Sequence, residues 1–310
     1  MPGSLALRIL LWTKYVAREL GDDPPSHILA LIWGDLPRLA VRLAKLWKVP
    51  AFAIIHDQEE YWSVSERGKK RIVTHVQRTL SSCSTVFAVS QRILDAYGVD
   101  QRKGKVLYPI PGVGRFYAAS LKVCSHLERP VVAFAGSLHD WQVENLSIVA
   151  AALKRIDGYL LLITDGDNIV LKSLSTLYDN VLGHEKFRDN EEVVSFVANN
   201  ASAFLISYSF RRDVQPWGYS SFPSKFLDFA RAGIPIIVLC PEWSEINRWC
   251  LDKEWEFKCS TLDGSSIEAL LQQIFSDIGW RAAAQRSIIL ALTEFDANRV
   301  HSQFVAELSG

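Results

Sequence analysis

The sequence predicts an α/β protein of two Rossmann-like domains facing each other across a cleft, and three observations carry that prediction. Short apolar runs of strand length alternate with amphipathic stretches of ten or more residues, the pattern of parallel sheets with right-handed crossovers. The alternation breaks at residues 109–114 (PIPGVG) and then restarts, which puts a domain boundary there. The chain has 310 residues, 49% of them hydrophobic, enough to bury two cores of ordinary size.

Taken in order, residues 5–20 (LALRILLWTKYVAREL) predict an amphipathic helix with Leu5, Ile9, Trp12, Val16 and Leu20 near one face and Arg8, Lys14 and Arg18 largely on others, stopped by the GDDPP that follows. Residues 27–33 (HILALIW) are a strand, 36–48 a helix bearing Arg38, Arg42, Lys45 and Lys48, and 51–55 a second strand ending in His56 and Asp57. A basic helix over 68–80 follows, then a strand over 85–89, and the Ser90 hydroxyl caps a helix to Tyr97. Residues 118–129 are irregular. The second half gives a strand at 131–135, a helix at 144–156, a strand at 159–164, a segment 174–182 leading to Gly183 and His184, a helix at 191–199 and a strand at 203–206. Helices at 244–251 and 265–278 and one long helical tract over 280–308 complete the chain. The expected domains are residues 1–118 and 119–290, with a terminal helix over 291–310 packing back on the first domain.

Composition narrows the class. No apolar run approaches the roughly 20 residues of a membrane span, and the first residues lack the order of a secretion signal, so a cytoplasmic location is expected. Five cysteines (Cys83, Cys124, Cys240, Cys250 and Cys259) form no CxxC pair, which suggests neither a disulfide framework nor a zinc site. Net charge is zero, yet residues 1–120 carry 17 Lys/Arg against 10 Asp/Glu, leaving 17 against 24 for the rest. Such a basic half suits an anionic membrane surface or an acidic partner. The absence of a nucleic-acid motif argues against nucleic acid.

The densest stretch is residues 217–238, WGYSSFPSKFLDFARAGIPIIV: a polar loop, a helix starting near Ser221 or Phe222, and a buried strand. Pro223 suits a first helical turn, Phe226, Phe229 and Ala230 share a buried face, and Gly233 and Pro235 end the helix. A loop whose N–H groups converge on a helix start can hold an anion such as a diphosphate. Two acidic groupings have both a chemical and a plain reading. Asp57, Glu59 and Glu60 allow a paired-carboxylate glycosidase or a solvated turn, and Asp165 with Asp167 mimics a metal-binding DxD or makes a turn.

The segments PAFAIIHD (50–57), TVFAVS (85–90), AFAGSL (133–138), LLLITDGD (160–167), NVLGH (180–184) and FPSKFLDFARAGIPII (222–237), in this order and spacing, resemble the GT-B glycosyltransferases, specifically the retaining family 4, over residues 27–290. The resemblance implies a nucleoside diphosphate sugar donor, a glycan or lipid-linked acceptor, transfer with retention, and no bound metal or other cofactor. It places Asp228 at the second glutamate of the family's paired-glutamate motif, which accepts hydrogen bonds from the ribose hydroxyls, a task for a carboxylate's lone pairs. The backbone of Ser220 and Ser221 would approach the phosphates, and Lys225 would offset their charge. His184 would stand at the nucleobase. His56 matches a histidine at the donor sugar, where its imidazole would stabilise developing charge.

The chain also departs from the family. Ser220 stands where the first glutamate belongs, and Ser137 where an Arg that grips phosphate belongs, with no Lys after it. Ser137, His139, Arg211 or Arg212 would inherit that task. Relatives begin with a strand, a glycine-rich loop and a helix, whereas this sequence opens on a helix, so the first domain is shortened or completed by a partner subunit. A second reading of another class follows: a GT-B-like subunit, wholly or partly non-catalytic, that binds a nucleotide or a partner glycosyltransferase. A third contact, of the basic N-terminal half with the inner membrane face, would make the protein peripheral there.

Overall fold

The computed structural model describes residues 5–21, 23–109 and 129–309. The linker from residue 110 on, the expected boundary at 118/119, the irregular stretch to residue 128 and Cys124 lie outside the described residues. By contact the chain divides into two compact units, Met1–Tyr108 with His301–Gly310, and Pro109–Val300.

In the first unit β1 (Ile28–Leu31), β2 (Ala51–Ile55), β3 (Thr85–Ala88) and β4 (Gly104–Val106) form a four-stranded parallel sheet in that order. The helices are α1 (Leu5–Leu20), α2 (Leu36–Trp47), α3 (Glu66–Ser81) and α4 (Gln91–Ala96). Ser65 caps α3 by accepting from the Gly68 N–H, and Ser90 caps α4 by accepting from Ile93. Strand β4, with three half-buried residues, carries no apolar signal and was not expected from the sequence. Only part of the apolar face of α1 is buried, Ile9 fully and Val16 by half. Ile9 and Thr13 point inward while Trp12 and Leu20 are exposed, because α1 packs chiefly on α2 and so buries only a narrow stripe.

The second unit holds β5 (Val131–Ala135), β6 (Tyr159–Thr164), β7 (Val181–Glu185), β8 (Ala203–Ser207), β9 (Ile236–Leu239) and β10 (Lys258–Cys259) in one parallel sheet, in the order β10-β9-β8-β5-β6-β7. The helices are α5 (Gln142–Arg155), α6 (Ile169–Leu177), α7 (Asn190–Asn200), α8 (Ser224–Ala230), α9 (Glu245–Asp252), α10 (Gly264–Ile274) and α11 (Asp277–Leu292). This is the doubly wound Rossmann arrangement, whose strand order reverses between β5 and β8 and opens a crevice at their carboxyl ends. Segment 174–182 resolves into the end of α6 and the start of β7, which runs through Gly183 and His184.

The C-terminal tract is two helices, α11 and α12 (Ala297–Ser309), rather than one. The break has a packing cause: Phe295 is buried against Phe222, Phe226 and Trp249, and Asp296 accepts from the Arg299 N–H to start the new helix. Beyond residue 300, α12 belongs to the first unit, where Phe304 meets Phe87 of β3 at 5.2 Å and Glu307 pairs with Lys105 of β4 at 3.1 Å. The four described cysteines are free and buried. Among the described residues no helix is long and apolar enough to cross a membrane.

Candidate functional site

Helix α8 is short, and its apolar residues decide what it can present. Phe226, Leu227, Phe229 and Ala230 are buried, with Phe229 stacked on Phe204 of β8, so the helix cannot rotate without breaking that core. Lys225 and Asp228, three residues apart, then lie along one flank. The Lys225 ammonium reaches across the Phe134 ring, 5.6 Å from its centroid, to the turn after β5. Gly136 admits it: a Cβ there would stand 2.2 Å from the Lys225 Nζ, and the backbone has φ +135°, a value side chains rarely tolerate. Burial lowers the Lys225 pKa below its ordinary value, opposed by the Asp228 charge, and among the described residues no carboxylate is within ion-pair distance of it.

Asp228 is half-buried, and burial raises its carboxyl above the ordinary carboxylate value. The Asn190 side chain bonds to it, and the Arg231 guanidinium favours its charge. Arg231, buried, pairs with Glu191 of α7 and donates from Nε to the Asp228 carbonyl at 3.3 Å, which ties α8 to α7. Lys225, Gly136 and Asn190 line one cavity of about 240 Å³ at the carboxyl ends of β5 and β6, with Phe187, Lys186 and Arg188 from the loop before α7. The half-buried Lys225, with Arg188 and the Asp165-paired Lys186 on the lining loop and the Asp189 and Asp228 carboxylates beside them, can bind an anion that carries a vicinal diol.

The other sequence-predicted residues are distributed less tightly. The loop before α8 does not offer its amides as expected. The Ser220 and Ser221 N–H groups both donate to the Trp217 carbonyl, at 3.0 and 2.9 Å, inside a 3₁₀ turn over Pro216–Tyr219. Helix α8 accordingly starts at Ser224 with Pro223 as its N-cap, later than the sequence suggests, because Phe222 is drawn into the aromatic cluster. Ser220 itself is 1% exposed. Ser137, next to Gly136, is exposed, as is His139, whose ring stacks on Trp141 at 6.2 Å. Arg211 pairs with Asp213 at 2.8 Å, and Arg212 lies over the Tyr219 ring at 4.5 Å. His184 is not part of the cavity lining; it stacks on Phe187, which is, at 4.8 Å.

Asp165 pairs with Lys186 and Asp167 with Lys172, so both acids of the DGD turn have lysine partners. Among the described residues no three His, Cys, Asp or Glu side chains come together as a metal set.

In the first unit, His56 is exposed at the carboxyl end of β2. The acids after it belong to the fold. Glu59 accepts from the Gly34 N–H, and Glu60 accepts from the Tyr97 hydroxyl at 2.6 Å and from Gln58 at 2.7 Å. Burial raises the Asp57 and Glu59 carboxyls above their ordinary values, with His56 opposing the shift at Asp57.

No family profile matches the chain, and no curated protein matches it in sequence. Solved structures do match. Anabaena Alr3699/HepE in complex with UDP and glucose superposes with a TM-score of 0.67 at 15% identity, over 99% of this chain and 83% of that one. The α,α-trehalose 6-phosphate synthase of Burkholderia multivorans gives 0.67 at 11% identity, over 97% and 73%, and apo OtsA gives 0.70 at 10% identity, over 98% and 77%. The chain has the GT-B fold. Its second unit holds the six-stranded, doubly wound half of that fold, and its first unit the shortened half, with four described strands.

Sequence reasoning passed over four lining residues of the cavity. Gly136 reads in the sequence as one residue of the turn after the strand at 131–135, though a glycine directly after a buried strand is a signal for close approach by another group. Lys186, Arg188 and Asn190 sit in KFRDN, a polar loop between a strand and a helix start, which is where such a fold places ligand contacts.

Proposed function

We propose that the protein is a glycosyltransferase that moves a hexosyl group from a nucleoside diphosphate sugar to a hydroxyl of a glycan or lipid-linked acceptor, with retention of configuration. The observation that carries this is the half-buried Lys225 ammonium at Gly136, one helical turn from the half-buried Asp228 carboxylate. Lys225 meets the diphosphate, with Lys186 and Arg188 adding charge, and Asp228 accepts from the ribose hydroxyls. Phe187 offers the base an apolar face. Lys225 and Arg188 carry the charge that meets the diphosphate, with Lys186 shared with Asp165, and activity is expected to survive chelation.

In the reaction the bond from the sugar's anomeric carbon to the diphosphate oxygen breaks, and a bond to the acceptor oxygen forms. The acceptor's proton leaves with the released diphosphate. His56 is assigned to the transferred sugar, where an imidazole N–H donates to a hydroxyl as positive charge develops at the anomeric carbon. A lipid-linked acceptor would bring the protein to the inner membrane face.

A second reading has its own observation. Ser220 replaces the acid of the family motif, and β1, with its outer edge free of a strand neighbour among the described residues, leaves room for a partner to complete the first sheet. On that reading the chain binds nucleotide but transfers nothing. The deciding experiment incubates the protein with UDP-, GDP- and ADP-sugars and follows nucleotide release with and without candidate acceptors. Release that His56→Ala lowers supports the transferase. Tight binding of a donor with neither hydrolysis nor transfer supports the subunit.

A further inference from the structure

Two adjoining grooves on the first unit concentrate positive charge far beyond what its fold requires. One, of about 590 Å³, is lined by Arg38, Arg67, Lys70, Arg71 and Arg78 with Thr74 and His75; its only acid is Glu66, which pairs with Lys69 at 2.7 Å. The other, of about 510 Å³, shares Arg38, His75 and Arg78 and adds Arg42 and Lys45 with no acid at all. Arg38 is tied to the His75 ring at 2.8 Å, which fixes α2 to α3. Among the described residues none of Arg42, Lys45, Arg67, Lys70, Arg71 and Arg78 is within ion-pair distance of a carboxylate. Like charges so close repel one another, a cost that an external anion would offset.

Helix α1 adds a second, independent feature. It walls the second groove through Ile9, while its outer side exposes Leu11 (55%), Trp12 (61%) and Tyr15 (64%) together with Leu7. Arg8, Lys14 and Arg18 are interleaved with them, and Glu19 is the helix's only acid. Leu, Trp and Tyr beside Lys and Arg on an exposed helix is the composition of an element that lies in the plane of a bilayer surface, its aromatic rings at the head groups. An acidic protein or a nucleic acid would satisfy the groove but leave this apolar stripe in water.

We propose that α1, α2 and α3 form a docking surface for an anionic phospholipid bilayer, with head-group phosphates seated in the groove between α2 and α3 and the outer side of α1 inserted at the acyl boundary. This locates the membrane contact, and it rests on the proposed function only for the lipid-linked acceptor that such docking would bring within reach.

The test is flotation of the full-length protein with phosphatidylcholine vesicles containing or lacking phosphatidylglycerol, with circular dichroism as the check on folding and UDP calorimetry on the same preparations. The protein is expected to float only with the anionic vesicles, and less as salt is raised. The triple variant Arg67→Gln/Lys70→Gln/Arg71→Gln should bind about a hundredfold more weakly, at roughly a factor of five per surface cation. Trp12→Ser should weaken flotation without changing its salt dependence. Failure of the wild type to float with anionic vesicles, or flotation indifferent to salt and to the triple variant, overturns the proposal. So does equal displacement by pyrophosphate or duplex RNA, which would mark a site for free anions or nucleic acid. Flotation without UDP binding would leave this surface standing and remove the donor-site reading instead.

Discussion

The two units bury their sheets to very different degrees. In the second, β8 and β9 are buried at every residue and β5 at all but its first. In the first, edge strand β1 is exposed at alternate residues and β4 is nowhere fully buried, and most of the molecule's exposed large apolar side chains belong to this smaller unit. A parallel sheet is stable when both faces are covered. The difference teaches where function can be assigned with a rigid frame behind it: Lys225 and Asp228 are held by a closed core, whereas the first unit spends its surface on charge and apolar contact.

If donor binding resides wholly in the second unit, substitutions there should change nucleotide affinity and leave membrane flotation alone. The largest effect is expected at Asp228. On the proposed donor reading Asp228→Ala would remove two charge-assisted hydrogen bonds to the ribose, each contributing about 1.5–3 kcal/mol, so UDP affinity should fall about a hundredfold or more. Lys225→Met keeps the stem over Phe134 and deletes only the charge; a loss of about thirtyfold, equivalent to about 2 kcal/mol, is expected for UDP and almost none for uridine. A uridine loss as large as the UDP loss would show that Lys225 supports the pocket rather than the phosphates. Gly136→Ala should cost about tenfold, since it puts a side chain at φ +135° and displaces the ammonium, with about 1 kcal/mol of stability lost in thermal melting.

The pH dependence gives a smaller and sharper test. Burial raises the folded pKa of Asp228 above 3.8, so UDP affinity should be lost on acidification at a pH above that ordinary value. Burial lowers the pKa of Lys225 below 10.5, so the alkaline limb should also begin early. The sign for stability is the opposite. A carboxyl whose folded pKa is raised costs stability as pH climbs from its unfolded to its folded value, and that cost persists at neutral pH. Asp228→Asn should therefore bind UDP weakly yet melt no lower than wild type at pH 7.

Much of this was legible in the sequence, for identifiable reasons. The strands at 131–135, 159–164 and 236–239 are continuous apolar runs because their sheet is buried on both faces, and Asp228 and Lys225 stand out because they interrupt an otherwise aromatic helix. What escaped detection depends on context rather than composition. Strand β4 is recognisable only from its pairing with β3, and β10 has two residues. The outward turn of Trp12 follows from how little of α1 its neighbours cover, and the capture of the Ser220 and Ser221 amides by Trp217 follows from the 3₁₀ turn, which leaves no apolar period to read. Gly136 was visible as a glycine, but its purpose appears only once Lys225 reaches it from nearly ninety residues away in sequence.

The most direct test of the account is the affinity of UDP measured by calorimetry for wild type and Asp228→Ala side by side, with circular dichroism confirming that both are folded. The account predicts a saturable wild-type isotherm and a loss of about two orders of magnitude in the variant. An absent wild-type isotherm, or equal affinities for the two proteins, would contradict the assignment of Asp228 and the cavity beside it to the nucleotide.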